Sequence, residues 1–260
     1  MIRIITIICI ALSMSACTAA KAVIAMNKST ENFIVLKHDR RVMYEEGAEE
    51  HAEIVANKLN GAVAAVEKSQ YRKFEKSITV HVCNTVESFT AYCVDHNAAG
   101  CVLNERLFLA PKAFQPGNEV LTHELSHLHM EQKLGMITWH SRYPSWFQEG
   151  LAVYVSGGQG ASKVTPKEAR QAITLGSHFT PDANGSLIFR KTAYSYGLKP
   201  NMFYRQSSLF VEYLHNLDEL KFKALLLYVA DGKKFENAFF SAYGASLSEI
   251  WEKFVQQLKA

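Results

Sequence analysis

The chain has 260 residues, 48% of them hydrophobic and 20% charged, so it can bury a substantial core and does not have the composition of a disordered chain. Its formal charge of +3, from 28 Lys and Arg against 25 Asp and Glu, is too small to imply nucleic acid or an anionic surface as partner. No dense Lys/Arg block and no interleaving of basic and aromatic residues is present, which again argues against nucleic acid.

The first 22 residues read as a leader. Arg3 precedes an apolar stretch from Ile4 to about Met14, followed by the small residues Ser15, Ala16, Cys17, Thr18, Ala19 and Ala20. The run is too short to span a membrane comfortably and fits a secretory signal, so export to the periplasm or cell envelope is expected. Met14-Ser15-Ala16-Cys17 resembles a bacterial lipobox, although Met stands where Leu is usual; in that reading Cys17 carries a lipid anchor to the membrane. Thr18, rather than Asp, after the cysteine would then favour an outer-membrane lipoprotein. Ordinary cleavage near Ala20 or Ala22, with no lipid, is the competing reading.

Beyond the leader, residues 33–36 are a strand candidate and 44–69 an Ala- and Glu-rich helix without internal Pro. The β-branched alternation of 78–83 predicts a strand, on whose face His81 sits as an ordinary residue rather than a ligand. A short helix is expected over 86–95 and a second strand over 100–110, ending at Pro111. Helical patterns then dominate, over about 119–134, 146–155, 165–174, 202–216, 218–230, 233–241 and 246–259. Between them, 156–160 reads as a flexible Gly-rich break and 176–200 as a polar loop. These elements describe a mainly helical α+β fold, with an N-terminal lobe over about 23–117, a helical lobe over about 118–260 and a site between them. Cys9 and Cys17 belong to the leader, which leaves Cys83, Cys93 and Cys101. Cys93 to Cys101 is the shortest disulfide closure; three small buried apolar residues is the alternative.

Two segments carry the chemistry. In His123-Glu124-Leu125-Ser126-His127, two histidines four apart share one face of a helix, so both imidazoles can reach one metal ion. Glu124, between them, is placed to take a proton from a metal-bound water. Leu121, Leu125 and Leu128 form the stripe roughly opposite, with Asn118 available to cap the start and Gly135 to end the helix. A catalytic zinc needs a third protein ligand and an open position. Glu149 is the candidate: Pro144 followed by Ser145-Trp146-Phe147-Gln148 reads as a capping box, which puts Glu149 in the first turns of a new helix.

These two segments resemble the gluzincin zinc peptidases of the peptidase MA-like group, to which thermolysin-like enzymes and membrane alanyl aminopeptidases belong. His123-Glu124-Leu125-Ser126-His127 matches the first motif and Glu149-Gly150-Leu151-Ala152 the second, while Tyr204-Arg205-Gln206-Ser207 leading into 210–214 resembles the helix that follows in short bacterial members. The resemblance covers about 100–216. It implies a zincin-like fold, Zn2+ held by His123, His127 and Glu149, Glu124 as general base, and 100–110 as the edge strand on which an extended peptide or protein substrate lies. Tyr204 is the candidate to stabilise the oxyanion, with Tyr154, Tyr194 and Tyr196 as rivals; His129 and His140 read as neighbours rather than ligands.

The chain departs from the family in two places. Val153 stands where thermolysin-like enzymes carry an acidic residue four after the Glu ligand, so the partner that orients a ligand histidine is unassigned. No Gly-x-Met-x-Asn motif, which in the aminopeptidases holds the free amine, is present. An endopeptidase of the cell envelope is therefore the expected function, and a non-catalytic zinc-binding envelope lipoprotein is the alternative.

Overall fold

The computed structural model describes residues 21, 23–186 and 189–260. Cys17 and the apolar stretch before it lie outside them. Among the described residues no helix is long and apolar enough to cross a membrane.

The fold is α+β and mainly helical, built on a small mixed sheet of five strands. In chain order these are β1 (Ile34–Val35), β2 (Val42–Tyr44), β3 (Val80–Val82), β4 (Gly100–Leu103) and β5 (Arg106–Leu109). Their order across the sheet is β1-β2-β3-β5-β4, with β2, β3 and β5 parallel and the two outer strands antiparallel to their neighbours. The 21-residue helix α1 (Glu49–Ser69) crosses between β2 and β3, as a parallel pair requires. It starts later than 44, because Met43 and Tyr44 are taken up in pairing with His81 and Val82.

The segment 100–110, expected to be one strand, is a hairpin. Asn104 and Glu105 both have positive φ, at 53° and 60°, which closes a two-residue turn of the primed type between β4 and β5. Without a glycine at either position the turn has a weak sequence signature. Cys101 on β4 is joined by a disulfide to Cys93, the last residue of α2 (Val86–Cys93), while Cys83 is free and buried.

Alternation along β5 gives the sheet two buried faces. Leu107 and Leu109 face the main core with α1, whereas Phe108 turns to a smaller aromatic cluster with Phe33, Phe89 and Tyr92. His81 belongs to that second face, stacked on Phe108 with its Nδ1 3.3 Å from the Leu107 carbonyl. The main core continues without interruption into the helices that follow: α3 (Leu121–Leu134), α4 (Met136–Arg142), α5 (Ser145–Val155), α6 (Pro166–Thr174), α7 (Pro200–Leu217), α8 (Glu219–Ala230), α9 (Phe235–Tyr243) and α10 (Leu247–Lys259). Leu125 and Leu128 are wholly buried and Leu121 nearly so, as their stripe predicts. Gly135 ends α3 with φ at 77°, and the short helix α4 begins immediately after it, an element without a distinct sequence signal.

Candidate metal centre

Helix α3 carries the first motif and begins at Leu121, later than expected. Asn118 does not cap it; its amide donates to Gln115 Oε1 instead. The free N–H groups of Thr122 and His123 donate to the side-chain oxygen of Gln159, at 3.1 and 3.4 Å, so a residue 36 positions downstream does the work of an N-cap. Helix α5 carries Glu149 and begins where predicted, but not through a capping box. Pro144 is its N-cap, and the Ser145 hydroxyl donates to the Lys191 carbonyl. The Gln148 amide nitrogen donates to the carbonyls of Trp139 and Tyr143 at 3.2 and 2.7 Å, which ties α5 to α4.

Gly150, next to Glu149, is where α7 comes closest. A Cβ there would stand 2.7 Å from the Ser207 carbonyl oxygen, so only glycine allows this approach of the two helices. The same approach brings Tyr204, three residues before Ser207, to the site: its ring is inclined 28° to that of His123, with centroids 6.3 Å apart.

The structure brings His123, His127 and Glu149 together. The two histidine Nε2 atoms are 3.3 Å apart, and each is 3.5 Å from Glu149 Oε2. These are the only three His, Cys, Asp or Glu side chains among the described residues grouped so that they could hold a metal ion. The spacing fits one. Three ligands at about 2.0–2.1 Å from a tetrahedral ion lie about 3.3–3.4 Å from one another. The His123 ring is already set for that role. Its Nδ1 is 3.2 Å from the Gln159 carbonyl oxygen, which can only accept, so Nδ1 carries the proton and Nε2 keeps a free lone pair.

Electrostatics reinforces the grouping. Burial works to raise the Glu149 pKa, but the two histidines facing Oε2 and the charge of Arg190 outweigh it and hold the carboxylate well below its usual range. Arg190 Nη2 is 3.1 Å from Glu149 Oε1, the oxygen turned away from the histidines. For His127 burial lowers the pKa, but the Glu149 carboxylate prevails and the net shift is upward. Glu124, buried beside the site, moves the other way: desolvation raises its pKa, with Glu149 and Glu131 adding to it and the histidines opposing. Its side chain lies against β4, where a Cβ on Gly100 would come within 2.7 Å of Glu124 Cγ. The edge strand thus borders the candidate base, and only glycine fits there.

Of the four tyrosines, Tyr204 alone stacks on a motif histidine. Tyr154 packs on His215 and Phe222, Tyr194 is exposed, and Tyr196 packs on Phe179 and Phe203. The Glu149 charge, followed by burial, raises the Tyr204 phenol far above its ordinary value, so it keeps its proton and can donate it. His129 lies on the far side of α3, between Gln70 Oε1 and the Arg72 carbonyl. His140 joins the buried Glu131 carboxylate, at 3.1 Å, to Gln148 Oε1, at 2.9 Å. Neither enters the metal cluster.

Sequence reasoning missed Gln159 and Arg190, which act on the ligands from a Gly-rich segment and a polar loop. Gly160 offers a partial signal. A Cβ there would meet His123 Nδ1 at 2.8 Å, and its φ of 80° suits glycine.

A family model for the peptidase MA superfamily matches residues 72–259, well over half of the chain and including every residue of this cluster. The chain belongs to the peptidase MA superfamily. It is accordingly a peptidase by family, with a His-His-Glu cluster that could bind a metal ion. No curated protein sequence matches it.

Proposed function

We propose that the chain is a zinc-dependent endopeptidase of gluzincin type that works in the cell envelope. The observation that carries this reading is the triangle of His123 Nε2, His127 Nε2 and Glu149 Oε2, with sides of 3.3–3.5 Å, beside a buried glutamate that is not part of it. Two imidazole nitrogens and one carboxylate oxygen suit zinc better than calcium or magnesium, which prefer oxygen ligands throughout. Three protein ligands leave a fourth position open, as catalytic rather than structural sites do. This favours an enzyme over a zinc-braced lipoprotein.

When bound, zinc supplies Lewis acidity, which polarises a carbonyl and acidifies water. The residues of the chain do the rest. Glu124 takes the proton of the attacking water and delivers it to the leaving amine, a cycle that its raised pKa assists because the protonated form is less costly in a desolvated site. Tyr204, protonated throughout, donates to the oxygen on which charge develops. The peptide lies along β4, whose outer edge has no strand partner among the described residues, and pairs with it as an added strand. A binding surface of that kind is indifferent to free termini, in keeping with the absent Gly-x-Met-x-Asn motif. The leader and its cysteine support placement in the envelope, with Cys17 as the lipid anchor.

The test is cleavage of a mixed peptide library by purified protein of known zinc content. Internal cleavage that is abolished by a chelator, restored by zinc and missing in Glu124→Gln supports the reading. Equal cleavage by Glu124→Gln would remove Glu124 as base, and trimming confined to chain ends would replace the endopeptidase with an exopeptidase.

A further inference from the structure

The loop after α5, expected to be a flexible break, is held by a side chain that the site does not include. Arg205, on α7 next to Tyr204, donates through Nε to the Val164 carbonyl at 2.9 Å and through Nη2 to the carbonyls of Ala161 and Gly158 at 3.1 and 3.3 Å. The edge of its guanidinium faces Gly158, where a Cβ would come within 3.0 Å of both terminal nitrogens. The three carbonyls converge because the loop winds in successive turns, with Ala161 N bonded to the Gly158 carbonyl and Val164 N to that of Ala161. A planar fork of fixed donors suits such a set of acceptors, which a lysine could satisfy only in part.

Between the clamped carbonyls lies Gln159, the residue whose own carbonyl meets His123 Nδ1 and whose side chain receives the N–H groups of Thr122 and His123. We propose that Arg205 is a positioning residue: by fixing the 158–164 loop it aims the Gln159 carbonyl at His123 and so sets the tautomer and ring orientation of the first metal ligand. This device takes the place of the acidic partner missing at Val153. It rests on the metal-binding reading above, but its contacts belong to the protein alone. Helix α7 then serves the site twice in succession, with Tyr204 facing His123 directly and Arg205 acting on the same histidine through the loop.

The experiment compares Arg205→Gln, Arg205→Lys and Gly160→Ala with the full-length wild type, each confirmed folded by circular dichroism at the working temperature. Zinc affinity is measured by competition with a chromophoric chelator, and the His123 tautomer by long-range proton–nitrogen NMR of the metal-free protein. The expected result for Arg205→Gln is zinc binding weakened by about tenfold or more and loss of the single Nδ1–H tautomer. Arg205→Lys should recover part of both, and Gly160→Ala, whose Cβ would press on the ring at Nδ1, should reproduce the affinity loss. A merely structural role would lower the melting temperature and leave both readouts unchanged, which would overturn the proposal. If the wild type bound no zinc, the metal reading would fail, while the tautomer comparison would still decide the clamp.

Discussion

Three buried histidines and the largely enclosed His127 divide into two pairs, one in the metal cleft and one in the packing behind it. His81, on the aromatic face of the sheet, and His129, on the back of α3, have backbone carbonyls as partners, and desolvation pushes each down to about 4. His127 is also largely enclosed, with its side chain 12% exposed, yet its pKa moves up, because the Glu149 carboxylate stands 3.5 Å from Nε2. Burial alone therefore makes a histidine an inert aromatic wedge. A buried carboxylate at the same ring nitrogen, with a second imidazole 3.3 Å away, makes a site for a cation.

This contrast is open to direct attack, and the largest effect should come from the cleft. Glu124→Gln is expected to lower kcat/KM by roughly 10²–10⁴-fold, the usual contribution of a general base. Urea denaturation of the same variant should show little loss of stability, because the amide removes a carboxylate that burial already disfavours. A large loss of stability with activity retained would move Glu124 into the structural class.

The pair behind the cleft should show itself in acid. The folded-state pKa of His81 lies below the unfolded value of about 6.5, so between about 6.5 and 4 the unfolded chain binds the extra proton and stability falls with falling pH. The contribution is on the order of 3 kcal/mol when the window has been crossed. His81→Phe keeps an aromatic ring against Phe33 and Phe108 and should flatten this part of the profile. Denaturation of metal-free protein between pH 7 and 4.5 measures it; an unchanged slope would mean that His81 takes up its proton as readily in the fold as in the unfolded chain.

A smaller effect is expected at His129. His129→Ala should cost about 2 kcal/mol, since the neutral ring donates to one of the two acceptors that face it, Gln70 Oε1 and the Arg72 carbonyl, and that acceptor loses its donor in a buried setting. Zinc affinity should stay within a few-fold of wild type, although His129 is only two positions from His127 in sequence. A parallel loss of metal would show that the two faces of α3 are coupled.

What could be read from the chain beforehand follows the same division between local and distant causes. Two histidines and a glutamate within five residues define their own geometry once a helix forms, and the stripe of Leu121, Leu125 and Leu128 says which face is turned inward. Gly135 as the helix end is equally local. Features that depend on remote partners were not legible. The cap of α3 comes from Gln159 rather than Asn118, and the Gln148 amide goes to the Trp139 and Tyr143 carbonyls rather than to a capping box. Arg190 and Arg205 reach the site from 41 residues beyond Glu149 and from 41 residues beyond Val164, distances over which no periodicity carries information. The 100–110 hairpin was missed for a local reason, because Asn104-Glu105 adopts a turn that usually advertises itself with glycine.

The central claim, that His123, His127 and Glu149 form one zinc site, is tested most directly by metal stoichiometry. Wild-type protein, His127→Ala and Glu149→Ala are each dialysed against a chelator, reloaded with a small excess of zinc, desalted and assayed by mass spectrometry of the metal. One equivalent should be retained by the wild type and well under one by either variant. Zinc absent from the wild type, or retained in full by both variants, would contradict it.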